Sequence, residues 1–312
     1  MSNAVTFSAG PHLPDKVTLV EVGPRDGLQG QKKVLSVERR VGLISGLADS
    51  GLTRIEAGSF VNPQRIPPMR DTDQVLKRLP GNNAVRYCVL TPNMRGLEDA
   101  LKSGVKEVAV FTGASETFTQ KNIQCSIAES MERFQPVVEK ACAEGVLVRG
   151  YLSCIMGCPY EGNIDLNQVA SLTRDLYQMG CYEVSLGDTI GVGNPIRVRK
   201  LIEKITHQLP VEALAAHFHD TYGQAMVNLY AAMESGITVI DSAIAGLGGC
   251  PYAKGASGNV ATEDVLFMLD GLGIASGVDM EKLLDVNSHI CSQNNFPNFS
   301  RTARALLAAR EK

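Results

Sequence analysis

The 312-residue chain lacks most features that would place it in a special class. It has no excess of one charge: 30 Lys and Arg stand against 33 Asp and Glu, for a formal net charge of -3. That balance gives no electrostatic basis for holding nucleic acid or an anionic membrane, and neither is expected as a partner. No apolar run approaches the ~18 residues that a bilayer-spanning helix requires. MSNAVTFSAGPHLP carries no basic segment followed by an apolar one, and AAREK matches no C-terminal address, so the expected location is the cytoplasm. Eight cysteines, at positions 88, 125, 142, 154, 158, 181, 250 and 291, include no C-x-x-C pair. Reduced and mostly buried thiols are expected rather than a disulfide framework. No linker, charge block or low-complexity stretch divides the chain, and a single domain over 1–312 is expected.

What is present is a repeating beat. Short apolar, β-branched runs fall at 17–22, 53–58, 85–90, 107–112, 147–154, 182–187, 214–219 and 238–244. Helical stretches lie between them, among them SVERRVGLISGLADSG, NMRGLEDALKSG and QAMVNLYAAMESG. Several close on a glycine just before the next strand (Gly51, Gly104, Gly145, Gly180, Gly236), the position of a helix C-cap. Strands alternating with helices pair in parallel, and eight such units suit a closed (β/α)8 TIM barrel over about 16–275. An open doubly wound sheet is the rival, but no G-x-G-x-x-G follows the first strand. The stretch 276–312 reads as additional C-terminal helix.

A TIM barrel works at the C-terminal ends of its strands, and reactive residue types gather there. The first strand runs into GPRDG, with Arg25 and Asp26. The second ends near Glu56 and Ser59, the fifth near Ser153 and Cys154, the sixth at Asp188 and the seventh at His217 and His219. The eighth leads into a loop with Cys250 and Asn259. Residues two apart on a strand share a face. His217 and His219 therefore point to one spot, while Phe218 points toward the helices. Two imidazoles satisfied by polar neighbours would explain the pair equally well in isolation. Opposite Asp26 and Asn259 they read as two ligands of a divalent cation. Imidazole, carboxylate and amide oxygen with waters suit Mg²⁺ or Mn²⁺, with Zn²⁺ a third option. Arg25 cannot give up its charge, so it fits stabilisation of an oxyanion, while Asp26 fits either metal ligation or proton acceptance. The loop AGLGGCPYAKGASGNV is dense in glycine, which suits a lid that brings Cys250 to substrate as a proton donor or acceptor.

These segments carry a resemblance. VEVGPRDGLQ, EAGSFVNP, LTPN, KNIQCSI, GYLSCIMGCPYEG, SLGDTIGVGNP, HFHDTYGQA and GLGGCPYAKGASGNVATED resemble the 3-hydroxy-3-methylglutaryl-CoA lyase family from about residue 16 to about 290. That family belongs to the metallolyases on a pyruvate-carboxyltransferase-like TIM barrel. The resemblance implies cleavage of an acyl-CoA, 3-hydroxy-3-methylglutaryl-CoA, to acetyl-CoA and acetoacetate, as in leucine degradation and ketone-body formation, by a homodimer. It implies metal ligation by Asp26, His217, His219 and Asn259, enolate stabilisation by Arg25, and a lid cysteine at Cys250. Glu56 and Asp188 match further active-site carboxylates, and Arg25, Gln29 and Ser59 are expected to touch substrate. Two departures stand out. GLQGQK replaces the family's GLQNEK, putting Gly30 and Gln31 in place of an amide and a carboxylate. Ala57-Gly58 is smaller than the usual pair. Both could reshape the acyl pocket, so a lyase for a longer 3-substituted 3-hydroxyglutaryl-CoA is the alternative. A condensing relative of the isopropylmalate synthase type is more distant, since such enzymes usually carry a long C-terminal extension.

Overall fold

The structure, a computed structural model, describes residues 13–81, 84–249 and 258–310. Eight parallel strands close into a barrel in chain order. They are β1 (Thr18–Glu21), β2 (Arg54–Ser59), β3 (Arg86–Leu90), β4 (Glu107–Gly113), β5 (Leu147–Ser153), β6 (Glu183–Asp188), β7 (Leu214–Phe218) and β8 (Val239–Ser242). Closure is made by β1 against β8, with Thr18 opposite Val239 and Glu21 opposite Ser242. Each expected run contains its strand, to within a residue or two at the ends.

Helices begin where the sequence supplies caps. Ser36 accepts from Arg39 N to open Val37–Asp49, and Ser126 with Glu129 forms a reciprocal capping box on Ile127–Ala143. Asn194 caps Pro195–Thr206, whose first residue is the proline that needs no intrahelical donor. All five expected C-terminal glycines have positive φ, from 69° at Gly145 to 121° at Gly180. The apolar core fills the layer between barrel and helices, where Phe218, Leu186, Val198, Leu201 and Ile202 line one small apolar cavity. The C-terminal segment forms two helices, Met280–Asn294 and Arg301–Arg310.

Three local features were not evident from the periodicity. A two-residue hairpin, Gly157–Cys158 with Gly162–Asn163, sits in the loop after β5. The expected eighth run continues past β8 into a short helical turn, Ile244–Gly246, in which Ala245 has φ 59°. GPRDG is a π-helical turn: Asp26 N and Gly27 N both donate to Val22 O, and Leu28 N reaches Gly23 O. Such wide turns recur at functional sites, where they displace side chains from the ordinary helical path.

Candidate active site

The barrel lumen is built from charged side chains, and they divide by height. At the strand starts, Arg54 forks onto Glu183 (2.9 and 2.8 Å), and Glu107 accepts from Tyr182 Oη (3.0 Å) and Arg86 (3.4 Å). Above them, the fully buried Arg149 joins Glu183 (2.6 Å) to Asp241, which it grips through two nitrogens (3.0 and 2.7 Å). Asp241 also accepts from Ser185 (2.7 Å) and contacts His217 Nδ1 at 3.1 Å. Burial would raise the Asp241 carboxyl, but Arg149 and the His217 hydrogen bond outweigh it and hold the group well below the usual carboxylate range. An anionic Asp241 fixes the His217 ring and favours a proton on Nδ1, which leaves Nε2 with its lone pair for a ligand.

His217 and His219 share a face of the chain leaving β7, with ring centroids 5.5 Å apart. Asp26 reaches them from the π turn after β1. One ligand atom from each of the three lies within 4.8 Å of the others. Burial, with His217 close by, lowers the His219 imidazole to about 4, and Asp26 draws the other way without prevailing. Burial also pushes Asp26 up, but Arg25, both histidines and Asn259 prevail and hold it at about 2. The ring is thus neutral and the carboxylate charged, the forms a cation needs. His219 Nδ1 is buried with no hydrogen-bond partner among the described residues. Asn259 is tied to the site by a bridge to His219, and Asp220 N donates to Gly258 O at 2.9 Å. Its Nδ2 donates to Asp26 Oδ2 (2.7 Å) and Leu247 O (3.2 Å), so its carbonyl oxygen is the end left to bind a cation. Gly248, at φ 143°, makes room for this amide: a Cβ there would lie 2.7 Å from Nδ2. The donor set fits a hard divalent ion.

Arg25 stands beside that cluster. Its Nη1 bonds Asp26 Oδ1 at 2.7 Å, and its Nε lies 2.7 Å from Glu56 Oε2 on β2. This buried ion pair occupies Glu56 Oε2 and leaves Oε1 buried without a hydrogen-bond partner among the described residues. Burial raises Glu56, and Arg25 draws it back only in part. Tyr151 lies between two guanidiniums, Arg25 at 5.4 Å and Arg149 at 5.0 Å from its ring centre.

The remaining expected residues fall in different places. Gln29 follows the π turn, and its buried Oε1 lacks a partner among the described residues. Ser59 lies at the top of β2, with its hydroxyl on Leu90 O at 3.3 Å. Asp188 does not face the lumen cluster. It is one position beyond Gly187, the partner of His217, and so is turned to the other side. Its carboxylate accepts from Gly193 N (2.8 Å) and Val192 N (3.2 Å) and thereby shapes the loop after β6. Cys250 lies outside the described residues. Gly58 does not open the lumen: a Cβ there would meet Arg40 Nη2 and Thr72, both at 2.7 Å on the helix side. Gly30 is exposed with nothing within 4 Å of its Cβ position.

Arg149, Tyr151, Ser185 and Asp241 lie below the strand ends at which the sequence places its reactive groups. Their signal was present as polar residues at alternating positions of buried strands, R-x-Y in β5 and E-x-S in β6. Alternation of that kind marks a polar lumen.

Comparison with known proteins agrees with this geometry. The HMGL-like family model matches residues 16–290. A Pseudomonas aeruginosa protein named 3-hydroxy-3-isohexenylglutaryl-CoA/hydroxy-methylglutaryl-CoA lyase is 56% identical over 297 residues, covering 95% of this chain and 99% of the relative. A crystal structure of hydroxymethylglutaryl-CoA lyase from Pseudomonas aeruginosa superposes with a TM-score of 0.94 at 56% identity, over 96% of this chain and 99% of that one. An HMG-CoA lyase from Acinetobacter baumannii, in complex with coenzyme A and 3-methylmalate, superposes with a TM-score of 0.89 at 34% identity, over 93% and 95% of the two chains. With the motif set, the barrel and the lumen all in accord with these matches, the chain belongs to the HMGL-like family.

Proposed function

We propose that this protein is a lyase that cleaves 3-hydroxy-3-methylglutaryl-CoA to acetyl-CoA and acetoacetate. The observation that carries the reading is the juxtaposition of a three-ligand cluster, Asp26, His217 and His219, with Arg25 and Glu56 at the same barrel mouth. Similarity to lyases of this name over nearly the whole chain supports it, and the coenzyme A complex of the Acinetobacter baumannii relative supports an acyl-CoA substrate.

The reaction breaks the bond between C2, next to the thioester, and C3, which carries the tertiary hydroxyl. The hydroxyl loses its proton and becomes the ketone of acetoacetate. The bonding pair moves to C2 as the enolate of acetyl-CoA, which then takes up a proton. Asp26, His217, His219 and the Asn259 oxygen would hold the divalent ion, Mg²⁺ or Mn²⁺. Bound there, that ion supplies Lewis acidity toward the tertiary hydroxyl. Arg25 faces the enolate oxygen with a charge it cannot lose, and Asp26 and Glu56 hold its guanidinium in place. His217 would accept the hydroxyl proton at Nε2 only when that nitrogen is not ligating the ion, and Asp241 at Nδ1 would offset the charge gained. Cys250, assigned by resemblance, returns a proton to C2. Gln29 and Ser59 contact substrate at the rim. Asp188 acts on the loop 189–193 rather than on substrate.

The test is product release by the purified protein with Mg²⁺ or Mn²⁺. Acetyl-CoA and acetoacetate are expected in equal amounts, abolished by a chelator and restored by added metal. No acetoacetate with metal present contradicts the assignment. The double name of the Pseudomonas aeruginosa relative supports a second reading, a longer 3-alkenyl substituent on the same glutaryl-CoA frame. Turnover of methyl and isohexenyl substrates side by side separates the two.

A further inference from the structure

The alternation of β2 is broken at the active site. Glu56 pairs with Cys88, but the next pairs are Gly58 with Val89 and Ser59 with Leu90, so Ala57 is an extra residue in the strand. Such a bulge changes which side chains face the lumen downstream of it. In an unbroken strand Glu56 and Gly58 would share the inner face, and Ser59 would face the helices. With the bulge, Ser59 lies opposite Leu90, which clusters with Cys88, Ala109 and the lumen residue Tyr151. Glu56 and Ser59 thus both reach the barrel mouth, three residues apart.

The bulge is held from behind by Arg40, on the helix Val37–Asp49. This side chain is buried, at 1% exposure, and makes no ion pair among the described residues. Its hydrogen bonds go to oxygens around the bulge: Nη2 to Ala57 O (3.3 Å) and Thr72 Oγ1 (3.2 Å), and Nη1 to Arg70 O (2.8 Å). Thr72 Oγ1 in turn accepts from Ser59 N at 3.4 Å. A buried guanidinium without a carboxylate is costly, and three oxygen acceptors on Nη1 and Nη2 offset part of that cost here, while Nε has no partner among the described residues. The fit is close. A Cβ at Gly58 would fall 2.7 Å from Arg40 Nη2 and 2.8 Å from Thr72 Cγ2, so Gly58 and Arg40 occupy one space between them.

We infer that Arg40 is a positioning residue for the active site, locking the β2 bulge through Ala57 O so that Glu56 and Ser59 both face the substrate. It touches no ligand residue of the cation cluster, which comes from β1, β7 and the segment at Asn259. Its readout in turnover rests on the lyase reading above, and a structural readout keeps the two separable.

The test uses Arg40→Met, which keeps length and removes the donors, and Gly58→Ala, which keeps Arg40 and fills its space. Both are assayed well below their melting temperatures. Each is expected to lose turnover by about tenfold to a hundredfold, the cost of a misplaced active-site group, with calorimetric Mn²⁺ affinity within about threefold of the parent. Arg40→Lys, which can still donate to Ala57 O, is expected to recover part of the loss. In a crystal structure of Arg40→Met, Ser59 should leave its place opposite Leu90. The inference is overturned if both variants, folded, keep kcat/KM within about twofold, or if Mn²⁺ affinity falls in step with turnover. If Arg40→Met does not fold, Gly58→Ala decides alone. If the parent protein cleaves no 3-hydroxy-3-methylglutaryl-CoA, the lyase reading fails, and the position of Ser59 in the variant still decides the role of Arg40.

Discussion

The floor and the mouth of the barrel lumen are made of the same residue types and behave differently. At the floor every carboxylate oxygen has a partner: Glu183 takes Arg54 and Arg149, Glu107 takes Tyr182 and Arg86, and Asp241 takes Arg149, Ser185 and His217. At the mouth, Arg25 Nε and Glu56 Oε2 have only each other, at 2.7 Å, and Glu56 Oε1, Gln29 Oε1 and His219 Nδ1 are buried without a hydrogen-bond partner among the described residues. An unsatisfied buried polar group costs on the order of 1–3 kcal/mol, so a cluster of them in one place calls for an explanation. Substrate and cation provide it. The floor is a network in which every carboxylate is paired, with Arg54 Nε its one buried atom without a partner among the described residues, and the mouth is a more open one above it.

That contrast can be broken or sharpened by experiment. The largest effect on turnover belongs to Arg25: Arg25→Gln is expected to lower kcat by about 10²–10³-fold, as loss of an oxyanion-stabilising group does. Arg149→Met should do the reverse in kind. It leaves Asp241 buried without its guanidinium partner and Glu183 with Arg54 alone, and is expected to cost about 3–5 kcal/mol of unfolding free energy in a denaturant titration. Asp241→Asn lies at the junction, and calorimetry should find Mn²⁺ affinity weakened about 10–100-fold because His217 loses its anchor.

A separate effect is one of pH. Burial pushes Glu263 up to about 7 and Glu21 up to about 8, from an ordinary value of 4.5. The folded state therefore keeps protons that the unfolded state releases. This contribution to stability is full below about 4.5 and is lost as pH rises through 7–8, by at most about 1.4 kcal/mol per pH unit for each group. The denaturation midpoint should fall from about pH 6 to pH 8, and Glu263→Gln should flatten the slope.

The barrel was legible in the sequence because its strands are short, apolar and spaced by capped helices, a pattern set by local preference. The cation cluster was legible because His217 and His219 lie on one strand, and period two puts them on one face without any knowledge of the fold. Asp188 shows the limit of that reasoning. A strand-end position is shared by both faces, and only the register with His217 reveals that its carboxylate serves the loop. The β2 bulge shows another limit, since Ala57-Gly58 reads as a smaller pocket wall when the space at Gly58 belongs to Arg40. Asp241 and Arg149 needed the closed barrel, because their contacts join strands far apart in the chain.

The most direct test of the division between a cation cluster and an oxyanion group is a paired measurement on Arg25→Gln: Mn²⁺ affinity by calorimetry and turnover of 3-hydroxy-3-methylglutaryl-CoA on the same preparation. The account predicts a kcat about 10²–10³-fold below the parent with metal affinity within a few fold. Equal losses in both would contradict it, since Arg25 would then serve the metal ligands rather than the enolate.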